Sequence, residues 1–326
     1  MISFRRRHAL KSPRSSLAAL GALAALAGFL APGCGGDSTE EIIITLTPWT
    51  LDFDAADTLY MVERESLSVW KFIGEDADPD GQLLPPAAGG FSPWGIDAGD
   101  ENSLFVTDVS EAQPRLLALS AAFTDAVVLG PDTLLAETGE GPPGQAFASP
   151  PVAVESLPLP GSDFRVFLAT GSSVIFYHYD TAAAVFAYEQ TLTGGCGHPF
   201  QQVQGLAVDA LNRRLYVTDA GANDRLYQFS GLNGLVPVCD GEIAQWEDPA
   251  TSTETDFSDP EGVTVRSGRP APQDNKVVVA DADLVAFYWD GATLQPTTLP
   301  EGVEPSPRKP FDVAFDADGE LWITYP

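Results

Sequence analysis

Apolar residues in this chain recur as short runs bounded by Asp, Asn, Gly and Pro, with no long helical stripe between them. Runs of four to eight residues rich in aromatic and β-branched side chains predict strands. Six copies of a paired unit align. Its first runs begin at Pro48, Pro93, Pro151, Val203, Pro260 and Pro310, spaced 45, 58, 52, 57 and 50 residues apart. That period is near or somewhat above the roughly 40 to 50 residues of a four-stranded propeller blade.

The second run of each copy, such as Leu59–Glu63, Leu104–Asp108 and Leu215–Asp219, is apolar on both faces, as a strand covered on both sides must be. Third runs follow in five copies, among them Leu67–Phe72, Arg115–Leu119 and Arg225–Phe229. Weaker fourth strands are predicted at Ala126–Leu129 and Val236–Cys239. A unit that cannot cover its own apolar faces has to stack against copies of itself. The expected fold is therefore all-β, a six-bladed β-propeller, in one domain over 41–326. The sixth copy stops after its second run, at Pro326, so the last blade is expected to be closed by an N-terminal strand, Glu41–Leu46.

The first 33 residues read as an export signal: basic residues, then the apolar run Leu17–Leu30, then small residues up to Cys34. Fourteen apolar residues fall short of the roughly 20 that span a bilayer core. Leu30-Ala31-Pro32-Gly33-Cys34 resembles a bacterial lipobox, which implies acylation of Cys34, a short tether over 34–40 and attachment to a membrane. Pro32 departs from that pattern and leaves open cleavage by a conventional signal peptidase. Arg6-Arg7 is also similar to a twin-arginine signal. Gly35 after Cys34 resembles the outer-membrane sorting of Gram-negative lipoproteins, which places the chain in the cell envelope, periplasmic or surface-exposed.

Acidic residues number 46 against 17 Lys and Arg, a net charge of -29. So negative a surface repels phosphate backbones, and nucleic acid is excluded as a partner of the folded part. After Cys34 only Cys196 and Cys239 remain. In an oxidising compartment they either form a disulfide or stand as two thiols.

Gly205-Leu206-Ala207-Val208-Asp209, Leu215–Gly221 and Asn223–Phe229 together resemble one complete NHL repeat, the other five copies being more diverged. Over nearly the whole mature chain the pattern is similar to NHL-repeat and SMP-30/gluconolactonase-like six-bladed propellers, which host unrelated activities. Lactonases of the second kind hold a divalent metal at the axis. That resemblance implies Glu261 as a metal ligand, but Trp49-Thr50 stands where a matching acid is expected. The residues at the blade starts are Trp49, Trp94, Val152, Gln204, Glu261 and Phe311, four of them apolar, which predicts a plugged axis. Asp76-Ala77-Asp78-Pro79-Asp80-Gly81 offers alternate carboxylates and a turn glycine, read either as a calcium loop or as a solvated acidic turn; Ala87 stands where an EF-hand has its bidentate Glu. No HExxH, Cys/His cluster or Gly-x-Ser-x-Gly elbow is present. The function expected is an envelope lipoprotein whose propeller is a binding platform for a protein, glycan or small ligand. The alternative is a metal-dependent lactonase-like hydrolase.

Overall fold

The computed structural model describes residues 47–326 apart from 75–78, 87–89, 101, 111–112, 223, 235, 249–252, 267–275, 290–292, 301–302, 304–307 and 326. The closing strand expected at Glu41–Leu46, the signal, the tether and Cys34 lie outside the described residues.

The chain is a β-propeller. Each repeat folds as an antiparallel meander, its first run innermost and the next strands following outward. The innermost strands are Pro48–Phe53, Pro93–Ala98, Pro151–Pro158, Val203–Asp209, Val263–Arg266 and Asp312–Phe315. Each touches the next in chain order, and the last returns to the first, so the six surround an axis. The first five sheets have four or more strands, and the sixth has two among the described residues, Asp312–Phe315 and Leu321–Thr324. Five complete blades are thus present among the described residues, against the six expected.

Second strands are the most enclosed part of the molecule. Every residue of Thr58–Glu63, Ser103–Asp108 and Phe164–Thr170 is buried, because neighbouring sheets cover both faces. The core is divided accordingly into wedges between adjacent sheets. Tyr60, Val62, Leu104 and Leu117 fill the gap between the first and second sheets. Phe105, Val166 and Tyr177 fill the next, then Phe167, Leu215 and Phe229, then Tyr216, Val277 and Phe287. Met61, Phe72 and Ala314 join the first sheet to the sixth.

One strand is not where its sequence suggested. Asp125–Val128 does not close the second sheet; it runs parallel to Gly81–Leu84 as a fifth strand on the first sheet. Leu134–Thr138 takes the place it leaves, pairing with Arg115–Ser120. The physical reason is edge protection: an excursion from one blade covers the open ladder of its neighbour. Strand Val238–Ile243 closes the fourth sheet, overlapping the run Val236–Cys239.

Candidate functional site

The axis begins at a mouth built from the first residues of the inner strands. Trp49 and Trp94 stand edge to face there, ring centroids 4.9 Å apart at 71°. Phe311 packs on Trp49 at 4.2 Å. Behind these rings lies a cavity of about 50 Å³, lined among others by Trp94, Val152, Gln204, Glu261 and Phe311. It is small, with room for a few waters.

Adjacent inner strands approach closely enough to be stitched together by backbone and threonine contacts. Thr50 Oγ1 donates to Trp94 O at 2.5 Å, Thr218 Oγ1 to Glu261 O at 2.5 Å, and Thr324 Oγ1 to Trp49 O at 2.9 Å. Each crosses from one sheet to the next. The Asp residues that end the second strands serve the same local architecture. Asp108 accepts from Ser92 N and Ser110 N. Asp219 accepts from Gln201 N and Gln202 N, and Asp281 from Ser258 N. They tie each inner strand's entry loop to its own sheet.

Deeper along the axis lies a group of carboxylates to which the sequence reading gave no role. Asp52, Asp97 and Glu155 occupy the same column of three successive inner strands, where Ala207, Thr264 and Ala314 stand in the others. Asp312 sits two positions earlier on its strand. Each reaches across to a backbone N–H of the following sheet. Asp52 Oδ2 accepts from Ala98 N at 2.7 Å and Asp312 Oδ2 from Leu51 N at 3.0 Å. Asp97 accepts from Ser156, backbone and side chain, and Glu155 from Val208.

Burial pushes all four carboxyl groups up from the ordinary carboxylate range, against those backbone donors. Asp97 rises to about 6 and Asp312 to about 7. Asp52 rises well above its usual value through burial and then the charge of Asp97; Glu155 does so through burial and then Asp97 and Asp52. Asp97 is 5% exposed, and its Oδ2 has no hydrogen-bond partner.

Glu261, the sequence-predicted metal ligand, is at the mouth. Its Oε1 accepts from Lys309 Nζ at 3.2 Å, and the same ammonium meets Asp259 at 2.5 Å. Burial raises the Glu261 carboxyl, opposed by Lys309. Among the described residues no three His, Cys, Asp or Glu side chains converge as a set that could hold a metal ion. Of the acidic turn, Asp76 and Asp78 lie outside the described residues. Asp80 is described, and its Oδ2 accepts from Ile73 N at 2.5 Å, in the manner of a turn former. Cys196 and Cys239 are bonded, their Cα atoms 5.4 Å apart.

The signal for the axial acids was in the sequence: three positions further along the aligned repeats, three consecutive copies read Asp, Asp, Glu. Arg64 carried no such signal, because it lies in a hairpin turn outside the repeat's inner strand.

No protein family matches the chain, and no curated protein does. Solved structures match in fold. A gluconolactonase from Xanthomonas campestris shares 13% identity, with 86% of this chain and 84% of that one covered, at a TM-score of 0.52. A putative glucose dehydrogenase from Thermus thermophilus shares 13%, covering 85% and 90%, at 0.51. The PQQ-bound aldose sugar dehydrogenase of Streptomyces coelicolor shares 16%, covering 86% and 88%, at 0.50. At such identities the likeness is one of fold alone.

Proposed function

We propose that this chain is an exported, lipid-anchored propeller that works as a binding platform in the cell envelope, and not as a hydrolase. The observation that carries this reading is the use made of the axis. Its carboxylates are spent on neighbouring backbone N–H groups, its mouth is walled by indole and phenyl rings, and Glu261 is held by Lys309. Aromatic rings grouped at the centre of an exposed face are the composition of a recognition site.

Export is supported by the Cys196–Cys239 disulfide, since such bonds persist in oxidising compartments. The anchor is Cys34, which holds the propeller at the outer membrane by its acyl chains. The propeller is six-bladed in this reading, with residues 41–46 completing the last blade beside Leu321–Thr324, whose outer ladder has no partner strand among the described residues.

Two measurements test the proposal. Elemental analysis of the purified protein should find divalent metal well below one equivalent, unchanged in Glu261→Gln; a stoichiometric metal lost in that variant makes the chain a lactonase-like hydrolase instead. Labelling cells with a radioactive fatty acid should mark the wild-type chain and not Cys34→Ser; equal labelling, or none in either, removes the anchor.

A further inference from the structure

Arg64 lies in the turn between strands Thr58–Glu63 and Ser68–Ile73, at the mouth end of the first sheet. Its guanidinium carbon sits 4.1 Å from the Trp49 ring centroid and 4.8 Å from that of Trp94. The two indoles meet at 71°, so the cation occupies the corner between two electron-rich faces. That is the arrangement by which aromatic cages hold ammonium and guanidinium ions.

Arg64 is not held there by a carboxylate. Among the described residues it makes no ion pair within 4 Å, in a chain with 46 Asp and Glu. The nearest acid in sequence, Glu63, is committed to Glu65 N and Ser66. Among the described residues it is the two rings that position the guanidinium.

The charge around the corner is mainly acidic. Glu261 lies at the mouth, paired with Lys309, Asp52, Glu155 and Asp312 line the cavity, and the chain as a whole is strongly negative. A channel mouth of low-dielectric walls over buried acid groups concentrates positive ligands and repels negative ones.

Building on the binding-platform reading, we propose that the Trp49–Trp94 corner is a recognition site for an organic cation, a guanidinium or alkylammonium group, and that Arg64 is its built-in occupant. The ligand's charged head displaces Arg64 and takes its place between the rings; the turn bearing Arg64 swings out to solvent. Arg64 thereby acts as an internal competitor that lowers apparent affinity by the fraction of time it fills the corner.

The experiment is calorimetric titration at low ionic strength, where mouth electrostatics are least screened, with agmatine, with tetramethylammonium and with N-butylurea as the neutral counterpart. Agmatine and tetramethylammonium should bind, N-butylurea should not. Arg64→Ala should tighten agmatine about tenfold. Trp94→Ala, checked by circular dichroism for retained fold, should abolish binding, and Trp94→Phe, a smaller disturbance to the fold, should weaken it several-fold. Ring-current upfield shifts of the agmatine methylenes should accompany binding to Arg64→Ala and vanish in the Trp94 variants. A basic peptide with alternating Arg and Gly, set against agmatine, separates the sources. Tighter binding of the peptide, beyond its added charge, assigns the cation to a protein partner, and parity assigns it to a small molecule.

N-butylurea binding as tightly as agmatine, or Arg64→Ala binding agmatine no better than wild type, overturns the proposal. That failure leaves the platform reading standing if the metal analysis is negative. A stoichiometric metal lost in the Glu261 variant overturns the platform and not the cage.

Discussion

Gly205 shows how much of this fold turns on single atoms. A Cβ placed there would lie 2.3 Å from Glu261 O and 2.7 Å from Thr218 Oγ1. Those are the groups that join the fourth and fifth sheets, for Thr218 Oγ1 accepts from Gly205 N and donates to Glu261 O. Gly205→Ala should therefore cost about 1 to 3 kcal/mol in urea unfolding, as overpacking does. Gly241→Ala, where a Cβ meets nothing within 4 Å, should be neutral or slightly stabilising. Equal effects at the two positions would show that the inter-sheet contact does not constrain Gly205. Asp97 is the converse case, a charge with too few partners. Holding a proton to about pH 6 against a usual 3.8 corresponds to about 3 kcal/mol of folded-state penalty at neutral pH. Asp97→Asn keeps an acceptor for Ser156 and removes the charge. It should stabilise the protein by about 1 to 3 kcal/mol at pH 8 and change little at pH 4, read as the shift in urea midpoint at each pH.

At the scale of the element, the third and fourth sheets are fastened twice beyond their apolar wedge. Arg165, 7% exposed at its side chain, forms a two-pronged pair with Glu189 and also donates to Leu232 O and Gly234 O of the next sheet. The hairpin Gly194–Pro199 is tied by the disulfide to strand Val238–Ile243, closing a loop of 43 residues. Replacing both cysteines by serine should lower stability by about 2 to 5 kcal/mol, mainly by releasing the unfolded chain. Reductant should lower the thermal midpoint of the wild type to that of the double variant and leave the double variant untouched. These fastenings were only partly legible. The two cysteines were visible as a pair, but a separation of 43 positions says nothing of distance. Arg165 reads in the sequence as an ordinary strand residue, and only the meeting of two sheets makes it a latch. The misplaced strand Asp125–Val128 has the same origin. Its apolar character was legible, whereas the edge it covers belongs to another repeat.

For the whole molecule, the axial acids set a direction of pH dependence. Asp97 and Asp312 stay protonated in the folded state to about 6 and about 7, against 3.8 when unfolded. Between roughly pH 4 and 7 the native state holds protons that the unfolded chain has released, so stability falls as pH rises through that window. Asp52, Glu155 and Glu261, also raised, act in the same sense. The thermal midpoint should be higher at pH 5 than at pH 8. The triple variant Asp52→Asn, Asp97→Asn, Glu155→Gln should flatten that slope, whereas general self-repulsion of a -29 chain would leave it intact. What the sequence determined by itself was the periodic fold: runs apolar on both faces, repeated about every fifty residues, have only radial stacking to bury them. It also displayed the column of blade-start residues that became the mouth. Only the tertiary structure decided which columns converge on the axis, that Asp52, Glu155 and Asp312 from three different repeats line one cavity, and that a turn arginine lies between two indoles. A repeat fixes what each unit must bury from its own residues, but convergence at an axis depends on how neighbouring units rotate and stagger, and no single unit encodes that.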